Sequence, residues 1–378
     1  MPLDRLPFRG GANFLGLPPE DCTYDDARAV LLPVPYDSTT SYRAGTRDGP
    51  AAILAASRNV ELFDPEFGCE PLNRGVHTLP ELEPDMRGPQ ATVATVEEAV
   101  RTLLHDGKFP FLLGGEHSLT TGPIRALHAI HGDDLCVLQL DAHADLRDSY
   151  EHTPFNHASV MRRVIELIGP DRLTQVGIRN ISAGEMAFVQ KTKHDGIFWA
   201  HDLAAGDPAH PWIDRVLERL TKRVYITIDL DAFDPAVMPA VGTPEPGGLH
   251  WYPVVQLLRR VVAQREVVGC DVVELCPIPG FIAPDFLAAK LVFKLLAFVF
   301  ARQGWLPGRR RFIATHPQKE RPSTAPQEGR RRAEAATKAE ERDKPAAGAG
   351  SRARPSGSRS PTSACAARLS SPRSPRRC

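Results

Sequence analysis

Residues 136–145, CVLQLDAHAD, constrain this chain more than any other stretch. An apolar run (Cys136, Val137, Leu138, Leu140) passes straight into Asp141, His143 and Asp145 at alternate positions, which an extended backbone would turn to one side. Such a strand end is a comb of metal ligands; the plainer alternative is a polar turn after a buried strand. Two other stretches repeat the pattern. RVYITIDLDAFDP is strand-like and ends with Asp229 and Asp231 two apart. FPFLLGGEHSL gives a strand, Phe109–Leu113, broken by Gly114 and Gly115, a pair that lets the backbone turn sharply and would bring His117 to the same edge. Carboxylates buried side by side are costly unless a cation compensates them.

Around these stretches strands alternate with helices. AVLLPVP at 29–35 reads as a strand covered on both faces. A long polar loop follows, and Pro50 then opens an Ala-rich helix. Residues 91–106, HASVMRRVIELI, PWIDRVLERL and YPVVQLLRRVVAQ have helical spacing, while LTQVGIRN, GIFWA and EVVGCDVVELCP read as strands. That alternation predicts an α/β fold with a mainly parallel sheet, in which ligand sites lie beyond the carboxyl ends of the strands. The longest apolar run, 286–300, is interrupted by Lys290 and Lys294 and is too short to span a bilayer, so it reads as a buried helix.

The net charge of zero over 378 residues hides an asymmetry. Residues 307–378 hold 18 Lys+Arg against 6 Asp+Glu, leaving 28 against 40 in residues 1–306. The expected organisation is a catalytic domain over 1–306 and a basic, Arg/Ser/Pro/Ala-rich disordered tail over 307–378. The tail has no aromatic residue after Phe312 to stack on bases, so nucleic acid is not an expected partner. Seven scattered cysteines without a C-x-x-C pair suit reduced thiols and a cytoplasmic location. The opening residues MPLDRLPFRGG lack the apolar core of a signal peptide.

GGEHS at 114–118, DAHAD at 141–145, IDLDAFDP at 228–235 and GTPEPGGL at 242–249 together resemble the ureohydrolase (arginase/agmatinase) superfamily in identity, order and spacing. YDSTTSYRAGTRDGP and DVVELCP support the match, which covers about residues 12–302 and looks most like the agmatinase branch. The resemblance implies a three-layer αβα sandwich and two manganese ions per chain, with nickel as an alternative divalent ion. His117 and Asp145 would bind one ion, His143 and Asp231 the other, and Asp141 and Asp229 would bridge them. A set with four carboxylates among six ligands is hard and oxygen-rich, favouring manganese over zinc. Asp145 would also orient the attacking hydroxide, Glu274 would grip a guanidinium, and His157 in FNHAS would shuttle a proton to the leaving amine, with His152 as its rival and a titration range suited to neutral pH.

The implied partners are a small guanidino compound and further copies of the chain, as a trimer or hexamer. Agmatine is the first substrate to expect, with guanidinobutyrate, guanidine and arginine as alternatives. LRDSYEHTPFN lacks the Asn- and Ser/Thr-rich signature by which arginases hold an α-carboxylate, and its Asp148 and Glu151 suit a cationic amine end. Structural roles are expected of Arg43, Arg47, Asp48 and Glu245, and Cys276 stands in ELCP where the family often has Asn. A metal-dependent deacetylase would use one zinc and fewer carboxylates, and a non-catalytic relative would have lost ligands; all six are present here.

Overall fold

A computed structural model describes residues 13–306 of the chain. The expected disordered tail lies outside the described residues, as do residues 1–12. Eight strands, β1 (Ala29–Val34), β2 (Val76–Thr78), β3 (Phe109–Gly114), β4 (Leu135–Leu140), β5 (Leu173–Ile178), β6 (Ile197–Trp199), β7 (Arg223–Asp229) and β8 (Glu266–Val273), form one sheet in the order β2-β1-β3-β8-β7-β4-β5-β6. Each neighbouring pair runs parallel. Strands β1, β3, β4 and β5 are buried along their whole length, which explains why they read as continuous apolar runs instead of alternating ones.

Helices α1 (Gly49–Ser57), α7 (Trp212–Arg219), α8 (Trp251–Gln264) and α9 (Ala283–Gln303) cover one face, where Ile53, Val216, Leu258 and Phe293 share a core with the strands. Helices α2 (Pro89–His105), α3 (Thr121–His131), α4 (Val160–Ile168) and α5 (Ala183–Thr192) cover the other, through Val96, Ile124, Val164 and Phe188. A short α6 (Ala200–Ala205) follows β6 directly. The result is the expected three-layer αβα sandwich. The predicted helix at 286–300 is the middle of α9; its Lys294 is buried but neutralised, with Nζ 2.9 Å from Asp64 Oδ2 and 2.7 Å from Glu66 Oε2. No helix among the described residues is long and apolar enough to cross a membrane. Cys22, Cys136, Cys270 and Cys276 are free thiols.

The three segments β2, α5 and α6 were not legible from periodicity. Strand β2 has three residues at the sheet's edge, and α5 lacks an apolar stripe. Its start is nevertheless encoded: Ser182 accepts from the backbone N–H of Glu185 while the Glu185 carboxylate accepts from the backbone N–H of Ser182, a reciprocal cap. The glycine pair after β3 is needed for close approach, since a Cβ on Gly115 would lie 1.9 Å from the Tyr36 carbonyl oxygen. That contact lets the turn carrying His117 lie against the loop that follows β1.

Candidate active site

The central strands β3, β8, β7 and β4 are neighbours in the sheet, and each delivers functional side chains just past its carboxyl end: His117, Glu274, Asp229 with Asp231, and Asp141 with His143 and Asp145. The expected edge is therefore the observed one. The means of convergence differs from the expected pleat. Strand β4 ends at Leu140, and the comb is a loop in which Asp141 Oδ1 accepts from the His143 backbone N–H at 2.6 Å and Asp145 has a φ of 53°. Likewise β7 stops at Asp229, whose Oδ1 accepts from the Asp231 N–H at 2.8 Å as the chain enters a 3₁₀ turn. Asp side chains that bond two residues onward make such turns locally stable. An alternate spacing thus brings ligands together by two Asx turns and not by extended backbone.

Two ligand clusters share Asp141: His117, Asp141 and Asp229 in one, Asp141, His143 and Asp231 in the other. His117 Nδ1 lies 3.1 Å from Asp141 Oδ2, 3.2 Å from Asp145 Oδ2 and 3.5 Å from Asp229 Oδ2. His143 Nδ1 lies 2.9 Å from Asp231 Oδ2 and 3.7 Å from Asp141 Oδ1. The two oxygens of Asp141 therefore face different histidines. His117 Nε2 is 2.8 Å from Thr227 Oγ1, whereas its Nδ1 is buried and points among the carboxylates without a hydrogen-bonding partner of its own. A buried ring nitrogen set among several carboxylate oxygens is an arrangement that a cation at their centre would satisfy. These residues fit divalent metal ions, and manganese suits a donor set of this hardness.

The electrostatics agree. Burial, and then the charge of Asp141, push the Asp145 carboxyl up to about 7. Burial, and then Asp231 and Asp141, push Asp229 well above the ordinary carboxylate range. Without a cation, burial first and neighbouring like charges second favour the protonated form of these two acids.

Glu274 follows β8 with a φ of 66°, and its Oε1 accepts from the His117 backbone N–H at 2.7 Å. A left-handed backbone at a non-glycine residue is uncommon, and here both Asp145 and Glu274 adopt it at the site. Burial first, and the Glu116 charge second, hold the Glu274 carboxyl well above its ordinary range.

His157 lines the cleft with Tyr42, Arg43 and Thr243. Its Nδ1 is 3.4 Å from Thr39 Oγ1 and its Nε2 3.4 Å from Ser41 Oγ. Burial, and then the neighbouring His143, push it down to about 4, so it stands neutral at pH 7 instead of titrating there. The expected titration range is thus corrected by desolvation of the imidazolium. Its rival His152 is exposed.

The acids chosen for an amine end are placed differently. Asp148 is 75% exposed and engaged by Arg163 at 3.0 Å and Arg162 at 3.6 Å, and Glu151 is exposed. Glu245 has the structural setting expected of it: its Oε1 accepts from Asn180 Nδ2 at 2.6 Å, while Arg179 donates to the backbone oxygens of Glu245 and Asp231. Arg47 is paired with Asp37, and Arg43 Nη2 donates to the Pro277 carbonyl at 3.0 Å while lining the cleft. Missed altogether were Ser41, Tyr42 and Thr243 at the rim, and Glu116, which is fully buried and accepts from the backbone and hydroxyl of Thr39 at 2.6 Å each. Glu116 had one visible signal, its place between a glycine pair and a ligand histidine.

Residues 27–297 match the family model described as "Arginase family". The N(1)-aminopropylagmatine ureohydrolase of Synechocystis sp. is 40% identical over 282 residues, covering 73% of this chain and 90% of that protein. The protein of the same name from Thermus thermophilus is 41% identical over 290 residues, covering 76% of this chain and 95% of that protein. Among solved structures, the agmatine ureohydrolase of Thermoplasma volcanium superposes with a TM-score of 0.67 at 36% identity, covering 73% of this chain and 91% of that one.

Proposed function

The chain belongs to the arginase family, and from that premise we propose that it hydrolyses the terminal guanidino group of a linear, amine-bearing guanidine, releasing urea and a polyamine. N(1)-aminopropylagmatine takes first place and agmatine second, which revises the order expected from the sequence. The names of relatives at 40–41% identity support the revision. The observation that carries the chemistry is the buried His117 Nδ1 set among Asp141, Asp145 and Asp229, with the Glu274 carboxylate accepting from the His117 backbone N–H.

In this reading His117, Asp141, His143, Asp145, Asp229 and Asp231 would hold two manganese ions, Asp141 being common to both ligand clusters. Such ions would supply an activated water at neutral pH and polarise the substrate. Glu274 pairs with the guanidinium, and its Oε1 bond to the His117 N–H fixes the carboxylate plane for that grip. Asp145, left-handed and buried, orients the attacking water by accepting its hydrogen bond. His157 arrives neutral, takes up the proton released as water adds, and returns it to the departing amine nitrogen. Its cleft-facing Nε2 lies beside Ser41 and can serve that transfer.

Urea release measured over a panel of guanidines on manganese-loaded protein tests the substrate. N(1)-aminopropylagmatine and agmatine should exceed arginine in kcat/KM by at least about tenfold, roughly 1.4 kcal/mol in transition-state binding. Arginine as the better substrate would end the amine-tipped reading. The domain boundary at residue 306 is part of the same proposal: a chain ended there should keep its turnover and melting temperature, and loss of either would place residues 307–378 within the working enzyme.

A further inference from the structure

Gln139 is the one polar residue in the apolar run of β4, and its in-register neighbour on β5 is a second glutamine, Gln175. Both are fully buried. Two carboxamides inside a sheet covered on both faces need every donor and acceptor met. Gln139 Nε2 donates to Asp141 Oδ2 at 2.7 Å and to the His143 carbonyl at 3.5 Å, while its Oε1 accepts from Gln175 Nε2 at 2.6 Å. Gln175 Nε2 also donates to the Ala144 carbonyl at 2.8 Å, and its Oε1 lies 3.0 Å from His194 Nε2. The Ala144 carbonyl only accepts, so Gln175 turns its NH₂ to that side.

The direction of this chain is fixed at both ends. Turning the Gln139 amide over would set its oxygen against the Asp141 carboxylate and its NH₂ against that of Gln175, two repulsions in place of two bonds. Asp141 Oδ1 accepts from the His143 backbone N–H and Oδ2 from Gln139, so each oxygen has one lone pair taken by the protein and one left for the site. Those remaining lone pairs face His143 and His117 respectively.

We infer that Gln139, backed by Gln175, is a positioning residue that holds Asp141 with one oxygen committed to each metal position. The inference deepens the two-metal reading and rests on it. Gln139 touches the ligand and not the substrate, so its removal acts on metal occupancy before it acts on turnover. Outer hydrogen-bond partners of metal ligands characteristically change affinity by about 10–100-fold.

The test is Mn²⁺ titration of the metal-free full chain by calorimetry and electron paramagnetic resonance, beside the melting temperature of the metal-free protein. Wild type should bind two ions. Gln139→Leu, close in size and apolar among apolar neighbours, should raise the Mn²⁺ dissociation constants about 10–100-fold while the metal-free melting temperature holds, and excess Mn²⁺ should restore most of kcat. Gln175→Leu should show a smaller weakening, and the double variant should be no weaker than Gln139→Leu alone, because Gln175 acts through Gln139. Wild-type affinity in Gln139→Leu, or additive losses in the double variant, overturns the inference. Should Gln139→Leu not fold, Gln175→Leu decides: weakened Mn²⁺ binding supports the inference and unchanged binding overturns it. Absence of Mn²⁺ binding by wild type would overturn the two-metal reading itself, and this inference with it.

Discussion

Replacing Asp141 by Asn will empty both metal positions and lower kcat/KM by about a thousandfold, roughly 4 kcal/mol of transition-state stabilisation. Asp141 is the one side chain common to both ligand clusters, with Oδ2 toward His117 and Oδ1 toward His143. An Asn keeps an oxygen for one side and presents an NH₂ to the other, where it can neither ligate nor neutralise. Elemental analysis of dialysed protein should find about two manganese ions per wild-type chain and well under one in the variant. Asp231→Asn is the control: Asp231 stands with His143 only, so the His117 side should keep its ion. Two retained ions in Asp141→Asn would remove Asp141 from its place between them.

Glu274→Gln should cost about a hundred- to a thousandfold in kcat/KM on every guanidino substrate alike, since it deletes a charge-assisted pair with the one group all of them share. The fold should survive, because Gln retains an oxygen for the His117 N–H. The pH dependence follows from the direction of the shift. Burial and the Glu116 charge raise the Glu274 carboxyl, so the ionised form that a guanidinium needs appears only as pH rises. Wild-type kcat/KM should therefore climb as pH rises well above the ordinary carboxylate range, through KM more than kcat, and the climb should flatten in Glu274→Gln. His157, held near 4, is already neutral over that range and adds no limb to it. A variant that keeps the wild-type profile, or that spares some guanidines, would place the guanidinium elsewhere.

The sheet and the convergence of its acids and histidines on one edge were legible because burial on both faces leaves an unbroken apolar run, and because a charge straight after such a run has few reasons to be there. The neighbours of those ligands were not. Gln139 sits inside a strand motif as an ordinary interruption, and its role appears only when β5 places Gln175 beside it. Thr227, the partner of His117 Nε2, lies 110 residues away in sequence, so no spacing announces it. Asp148 shows the opposite failure. Its charge was read from the loop that carries it, while Arg162 and Arg163, which engage it, come from the following helix. His157 was taken at its ordinary titration range, and only the packing around it supplies the burial that moves it.

Strand β8, last in the chain, is inserted between β3 and β7 in the middle of the sheet. Before it arrives, β2, β1 and β3 on one side and β7, β4, β5 and β6 on the other have no strand pairing between them. His117 belongs to the first group and the aspartates to the second, so a growing chain reaches residue 231 with all six of these side chains already made and no strand to dock the two groups. During synthesis at roughly 5–20 residues per second, the interval until β8 emerges lasts seconds, and the unpaired edges of β3 and β7 stand open throughout. Closing long loops onto a central strand is slow, and the same event that seals those edges brings in Glu274. Assembly of the His117 side and of the Glu274 carboxylate is thereby deferred to one late step, whereas Asp141, His143 and Asp231 come from the ends of β4 and β7, which pair directly and need no later strand to meet.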